Sequence, residues 1–202
     1  MKILNEITED EVTAAILQYN SNSFRFKDRL KELFRQKGLD MKIVTNPDLK
    51  SDGENTLRRQ FVQSLDGSGI GGYLDKSFPK DVAWKKARLS KEDLQKIKYI
   101  DYSYWNELTK NTRLVRDGAK SIKKGVVVFN ESNQPFWDAF EALKQGKKFP
   151  APILVTKNDR SDLVVIDGHL RLTVYLLDER YAPDEIETTI GYSENFSSWD
   201  LY

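Results

Sequence analysis

The chain contains no cysteine and only one histidine among its 202 residues. The absence of cysteine excludes disulfides, thiolate nucleophiles and cysteine-ligated zinc or iron–sulfur centres. A single imidazole also excludes a conventional histidine-rich metal site. Any metal is therefore expected to bind through carboxylate and phosphate oxygens, as magnesium usually does.

Long apolar runs are absent as well. No window approaches the roughly 18 uninterrupted apolar residues that a membrane-spanning helix requires. Hydrophobic residues make up 39% of the chain and charged residues 31%, a composition typical of a soluble globular protein. The N-terminal stretch MKILNEITEDEV turns acidic where a signal peptide would be apolar. We therefore expect no membrane partner and a cytoplasmic location.

The net charge of +1 conceals an uneven distribution. Residues 151–202 contain four Lys or Arg and ten Asp or Glu, whereas residues 1–150 contain 28 and 21. Two interpretations stay open: charges scattered over solvated faces, or a basic surface in the first part that faces nucleic acid, nucleotide or an acidic partner.

The region 1–75 is predicted to be mainly helical, and we expect it to recognise another protein if the chain has a protein partner. Thr8 and Glu11 have capping-box spacing, and Gly38 follows a second apolar stripe at a C′ position. MKIVT is predicted as a short strand, and TLRRQFVQSL as a helix. The glycine-dense stretch within 66–74 has no preceding strand and no P-loop lysine, which favours a connector or lid over a nucleotide loop.

The region 76–124 is predicted to be a helical connector. Ser90 and Asp93 have the pattern of a helix start. Further on, the spacing predicts one amphipathic helix over 108–124 with an apolar side and a basic side. This basic side is interpreted either as a solvated face or as a surface for phosphates. Its proposed nucleic-acid or phosphate contacts are Arg113, Arg116 and Lys120.

From residue 125 onward, predicted strands and helices alternate. GVVVF, PAPILVT, LVVID and ETTIGY are predicted as strands, while PFWDAFEALKQG and GHLRLTVYLLDE are predicted as helices. The expected fold class is α+β, with a helical N-terminal region followed by an α/β domain at 125–202 that contains a small mixed sheet.

The segment Asp167-Gly168-His169-Leu170-Arg171 marks the junction of a buried strand and a helix. The first amides of a helix lack intrahelical partners, and the helix dipole places partial positive charge there, so such a junction suits an anion. Gly168 leaves space for a phosphate, and His169 and Arg171 add donors beside it. A structural interpretation is equally available: Asp167 caps a common turn and Arg171 pairs with a nearby acid.

The stretch FPAPILV, LVVIDGHLRLTVYLL and IETTIGYS resembles the ParB/sulfiredoxin fold in its motif and element order. In that fold a strand runs into a glycine–x–x–arginine turn that binds nucleotide phosphates, and these two residues match Gly168 and Arg171. The resemblance covers about a third of the chain. His169 stands where sulfiredoxins have their cysteine, which excludes sulfiredoxin chemistry, and the chain lacks the Glu-Arg-Arg motif of partition proteins.

The Asp-Gly-His form is most similar to the free-serine-kinase branch of that fold. This resemblance implies a site in which Glu131, Asp167 and His169 are catalytic, with Glu131 as the base. Nucleotide contacts would come from Gly168, His169, Arg171 and Thr173. It also implies Mg²⁺ at Asp167 and a nucleoside triphosphate, with ATP favoured and CTP as the alternative.

Three functions follow as hypotheses. The first is Mg²⁺-dependent nucleoside triphosphate hydrolysis or phosphoryl transfer, in the manner of an ATPase or kinase-like phosphotransferase. The second is a DNA-associated protein of a plasmid, phage or defence locus, with the nucleotide as a switch or absent. The third is a protein-interaction module that uses exposed aromatic residues, namely Tyr102, Tyr104, Trp105 and Trp199.

Overall fold

The computed structural model describes residues 1–23, 26–64 and 77–202. Contacts divide the chain into two compact units, Ile7–Phe78 and Met1–Glu6 with Pro79–Tyr202. The predicted glycine-rich connector lies outside the described residues.

The unit Ile7–Phe78 is helical, as predicted for this region. Its helices are α1 (Glu9–Asn22), α2 (Lys27–Gln36), α3 (Lys42–Thr45) and α4 (Asp52–Ser64). The predicted capping box of α1 is confirmed, because the Thr8 hydroxyl accepts from the Glu11 amide while the Glu11 carboxylate accepts from the Thr8 amide. Gly38 follows α2 with a φ of +62°, the left-handed conformation expected at a C′ position.

The predicted MKIVT strand is wrong, because these residues form the single helical turn α3. The amides of Val44 and Thr45 both donate to the Met41 carbonyl at 2.9 Å. Val44 is fully buried. A short apolar run occurs both in strands and in buried helical turns, so tertiary packing decides which of the two forms.

The second unit is built on a six-stranded mixed sheet with the order β1-β2-β6-β4-β5-β3. Its strands are β1 (Lys2–Ile7), β2 (Ala83–Ser90), β3 (Lys98–Tyr99), β4 (Ile153–Thr156), β5 (Val164–Asp167) and β6 (Glu185–Tyr192). The strand β6 pairs antiparallel with β2 and parallel with β4, and β5 pairs antiparallel with β4 and parallel with β3. The α+β class and its small mixed sheet are therefore confirmed.

The helices of this unit include the two predicted after residue 125. They are α5 (Lys91–Leu94), α6 (Ser103–Thr109), α7 (Val115–Lys123), α8 (Gln134–Lys144) and α9 (His169–Leu177), with a 3₁₀ helix at Glu194–Ser198. The helices α7 and α8 both pack against α9. The predicted start at Ser90 and Asp93 is confirmed as the capping box of α5.

The single amphipathic helix predicted over 108–124 is wrong. The chain leaves the helical conformation between α6 and α7, where Lys110, Asn111 and Arg113 all have positive φ angles of 54–65°. The break lets the Arg113 backbone carbonyl accept from the Tyr99 amide at 2.7 Å. A long-range hydrogen bond of this kind leaves no trace in the helical periodicity.

The strand predicted at GVVVF is also wrong. Phe129 and Asn130 form a turn with φ angles of 50° and 58°, and the only ladder contact here within the described residues is the isolated bridge between Val128 and Glu131. Val128 is buried, whereas Val127 and Phe129 are exposed. One buried side chain does not anchor a strand, so the apolar run becomes a projecting turn.

The compact units differ from the ranges 1–75, 76–124 and 125–202 that the sequence suggests. From Pro79 onward the chain belongs to the same unit as residues 125–202, because β2 and β3 are strands of the same sheet as β4, β5 and β6. Within the described residues, no helix is long and apolar enough to cross a membrane.

Candidate functional site

The junction between β5 and α9 has the predicted strand–turn–helix form. The strand ends at Asp167, Gly168 adopts a φ of +97°, and α9 begins at His169. A Cβ atom at Gly168 would lie 2.8 Å from the Pro152 Cβ and 3.1 Å from the Arg171 Nε. Glycine is therefore required both by the left-handed backbone and by the close approach of Pro152, with Arg171 also near.

The Arg171 guanidinium is bound within the protein. It forms an ion pair with Asp167 and donates to the backbone carbonyls of Pro150 at 3.0 Å and Ala151 at 3.3 Å. Its side chain is 6% exposed. Arg171 thus holds the segment before β4 against the β5–α9 turn. These bonds use N–H groups of Arg171 that were expected to donate to a phosphate.

Asp167 supplies the one carboxylate at the turn itself, and its side chain is 25% exposed. In the ion pair with Arg171, the negative charge of Asp167 and the positive charge of the guanidinium offset each other. The part of the chain that the structure describes contains no group of three or more side chains suited to hold a metal ion. A magnesium ion at Asp167 would therefore need phosphate oxygens for most of its remaining ligands, as is usual for magnesium–nucleotide complexes.

His169 lies in an aromatic stack next to the turn. Its ring is parallel to that of Trp105, with centroids 5.2 Å apart, and it also faces Tyr99 at 6.1 Å. Burial, and then the positive charge of Arg171, lower the pKa of His169 to about 3, against the effect of a hydrogen bond to the Val165 backbone. The imidazole is therefore neutral near pH 7, and it does not supply the positive charge expected for phosphate stabilisation.

Thr173 does not reach the surface of the site. Its hydroxyl donates to the His169 carbonyl at 2.7 Å and lies 2.6 Å from the Tyr99 hydroxyl. The residue is completely buried. The nucleotide contact predicted for Thr173 is therefore corrected to an internal role, in which it fixes the first turn of α9 against Tyr99.

Glu131 comes to this region from the turn before α8. Burial raises the pKa of the Tyr104 hydroxyl, and the negative charge of Glu131 raises it further, which places the carboxylate near that phenol. The Tyr104 ring meets Trp105 edge-on at 4.8 Å, and Trp105 stacks on His169. Glu131 therefore lies near Tyr104, which contacts Trp105, the ring that stacks on His169.

Sequence reasoning missed the part played by Tyr99 and Trp105. The segment YIDYSYW is rich in aromatic residues, which was a usable signal, but the sequence could not show that two of these rings face His169. The prediction that aromatic side chains are exposed is confirmed for Tyr102, which is 54% exposed. It is wrong for Trp199, which is 3% exposed.

The three predicted basic contacts do not share one face. The Arg113 guanidinium donates to the Tyr99 carbonyl at 2.8 Å and to the Tyr202 carbonyl at 2.8 Å. Lys120 pairs with Asp117 at 3.1 Å on the exposed side of α7. Arg116 lines a separate groove. The break between α6 and α7 therefore separates Arg113 from Arg116 and Lys120, which lie one turn apart on α7.

The chain matches no protein-family model, no curated protein and no solved structure in the comparisons made.

Proposed function

We propose that the β5–α9 turn binds the phosphates of a nucleoside triphosphate and that Glu131 makes the site a catalyst of hydrolysis or phosphoryl transfer. ATP is the favoured nucleotide and CTP the alternative. One observation carries this proposal: Glu131 lies near Tyr104, and Trp105 contacts both Tyr104 and His169, which follows Glu131 by 38 positions at the start of α9. A strand–turn that served only to stabilise the fold would not require an acid brought from another loop.

The electrostatics of the turn support an anionic ligand. The start of α9 carries partial positive charge from the helix dipole, and its first amides lack partners within the helix. The buried Arg171 adds a full charge behind them, although Asp167 offsets it. Neutral His169 limits the ring to hydrogen bonding or stacking, so charge stabilisation falls to the amides and to Arg171.

Magnesium would arrive with the triphosphate in this proposal. Asp167 would provide one carboxylate ligand, and phosphate oxygens and water would provide the others. The metal would neutralise phosphate charge, while Glu131 would orient or deprotonate the attacking hydroxyl or water. This assignment depends on the partial exposure of Asp167, which leaves part of its carboxylate open to solvent.

The Glu131→Gln variant gives the sharpest test because Glu131 is exposed and its loss should not disturb folding. We expect unchanged binding of magnesium–ATP by calorimetry and a loss of turnover of about 100-fold or more, which is typical for removal of a general base. Glu141→Gln is the matched control, since Glu141 lies exposed on α8 and pairs with the neighbouring Lys144. The control should turn over nucleotide like the parent protein.

Two outcomes contradict the proposal. One is that millimolar ATP, CTP or GTP with magnesium does not raise the thermal denaturation temperature of the parent protein. The other is a Glu131→Gln variant whose turnover equals that of the parent. Arg171 variants are unsuitable for this test, because loss of the bonds to Asp167, Pro150 and Ala151 would reduce binding through misfolding alone.

A further inference from the structure

A groove with a volume of about 520 Å³ opens at the other end of β5 from the α9 turn. Leu163 and Lys98, at the starts of β5 and β3, line one part of it, and Thr156 at the end of β4 lines another. The four residues of β5 span about 10 Å between the groove and the turn. The volume is in the range of sites that hold small organic ligands.

Several charged groups of this groove already have partners. Lys98 pairs with Asp162 at 2.7 Å, Lys96 pairs with Glu92 at 3.1 Å, and Asp93 pairs with the α-amino group of Met1. These pairs leave little net charge for a ligand. Any net charge in the groove must therefore come from the other ionised groups that line it.

Three further ionised groups line the groove, Arg116, Arg160 and Asp159, and together they carry a net charge of +1. Within the described residues, the guanidinium groups of Arg116 and Arg160 have no ion-pair or hydrogen-bond partner, and the Arg116 Nε is shielded from solvent. Buried donors are nearly always satisfied in folded proteins. An Nε without an acceptor, in a groove of this size, therefore indicates a position where a ligand supplies the acceptor.

Both arginines are attached to ordered backbone. Arg116 is the second residue of α7, directly after the fully buried Val115. The Arg160 amide donates to the Asn158 Oδ1 at 3.0 Å, and the Ser161 hydroxyl donates to the same oxygen at 3.0 Å. The two guanidinium groups are thus presented from a helix and from a hydrogen-bonded turn.

We propose that this groove binds a small phosphate monoester, with Arg116 and Arg160 holding the phosphate. Guanidinium groups match phosphate oxygens in a bidentate manner, and a dianion can use two of them at once. Leu114 and Leu163 also line the groove, and they contact the apolar part of the ester. This site is separate from the triphosphate site proposed at α9.

Calorimetric titration of the full chain tests this proposal, with inorganic phosphate and phenyl phosphate as probes at constant ionic strength. We expect phenyl phosphate to bind more tightly, because its ring contacts the two leucines. Arg116→Gln and Arg160→Gln should each weaken phenyl phosphate binding by about tenfold or more, the usual effect of losing a hydrogen bond to a charged group.

Arg88→Gln is the matched control. Arg88 is a partly exposed arginine on β2, paired with Glu185 and Glu187 at the end of the sheet away from Thr156. The Arg88→Gln variant removes the same charge as the two groove variants and should leave phenyl phosphate binding unchanged. Unaltered affinity in both groove variants, or an equal loss in Arg88→Gln, overturns the proposal. Equal affinity for the two probes overturns the assignment to an ester.

Circular dichroism of each variant separates binding from folding. If Arg116→Gln does not fold, Arg160→Gln decides the question, since the Arg160 side chain is exposed and has no structural partner within the described residues. Arg160→Gln that folds and retains the parent affinity overturns the proposal.

Discussion

Arg171 and Arg116 lie at opposite ends of the same part of the sheet, and they differ in what surrounds their guanidinium groups. Arg171 bonds to a carboxylate and two carbonyls at the β5–α9 turn. Arg116 lines a groove with its Nε buried and without an acceptor among the described residues. The sequence predicts phosphate contacts for both arginines, and only the structure shows that their surroundings differ.

This difference separates the use of an arginine to stabilise the fold from its use in binding a ligand. A guanidinium whose donors meet protein acceptors stabilises the fold, and its removal leaves those acceptors unsatisfied. A guanidinium with an unused donor adds little to stability and is available to a ligand. Both kinds of arginine can occur in one domain, and motif matching alone does not tell them apart.

The largest expected effect is that of Arg171→Ala. Its loss leaves the Asp167 carboxylate and the carbonyls of Pro150 and Ala151 without their donor, so we expect a decrease of about 4 kcal/mol in the free energy of unfolding. Arg116→Met should change that free energy by less than about 1 kcal/mol, because it removes a donor that is not satisfied. Urea denaturation of both variants measures the contrast. Similar losses in the two variants would remove the distinction drawn between them.

Gly168→Ala should have the next largest effect. The new Cβ meets Pro152 and Arg171 in addition to straining the left-handed backbone, so we expect a loss of about 3 kcal/mol. Gly146→Ala is the control, because Gly146 has a φ of +84° but nothing within 4 Å of the added atom. It should lose about 1 kcal/mol, the strain alone. Equal losses in thermal denaturation would mean that Pro152 and Arg171 do not approach Gly168 closely.

The pH dependence of stability tests whether the aromatic stack beside the β5–α9 turn keeps His169 neutral. The pKa of His169 falls from its usual 6.5 to about 3 in the folded protein. As the pH falls through 6.5, the unfolded chain takes up a proton that the folded protein does not. The free energy of unfolding is therefore unaffected by this group well above pH 6.5 and decreases as the pH falls from 6.5 towards 3. The decrease is about 2 kcal/mol at pH 5.

Two measurements check this pH effect. The chain has one histidine, so a single imidazole resonance followed by NMR should not titrate between pH 8 and pH 5. His169→Phe, which preserves an aromatic ring beside Trp105, should lose stability less steeply than the parent between pH 7 and pH 5. A resonance with a midpoint near 6.5 would show that the stack does not exclude the charged form.

Lys120→Gln should have the smallest effect and provides a surface baseline. Lys120 pairs with Asp117 on the exposed face of α7, and such pairs contribute little in water. We expect a change below about 0.5 kcal/mol in urea denaturation, and less at high salt. A change as large as that of Gly168→Ala would mean that Lys120 has a buried role.

Prediction from the sequence succeeded where local rules decide structure. The capping boxes at Thr8 and Ser90 depend on residues three positions apart. The helix α8 begins with Pro135 in its first turn and is followed by Gly146, whose positive φ ends it. The sequence predicts β4 and β5 because each is a short apolar run between turn residues, and β6 because it is rich in threonine and isoleucine.

Prediction failed where distant segments decide structure. The first two strands of the sheet were not predicted, since the side chains of β1 are almost all exposed and β2 alternates lysine and arginine with its buried residues. The 108–124 helix was predicted as continuous because its periodicity is continuous. Its break depends on Arg113 reaching the carbonyls of Tyr99 and Tyr202, which lie far away in the chain.

At the candidate site, the sequence by itself determined the strand–turn–helix, because a buried strand, a glycine suited to a positive φ and a helical apolar pattern follow one another from Val164 to Leu177. Tertiary structure alone decided the partners of the polar side chains. A guanidinium bonds to whichever acceptors the fold brings within about 3 Å, and for Arg171 these are Asp167 together with carbonyls 20 and 21 positions away. The same physical reason directs Arg113 to Tyr99 and leaves Arg116 facing an open groove.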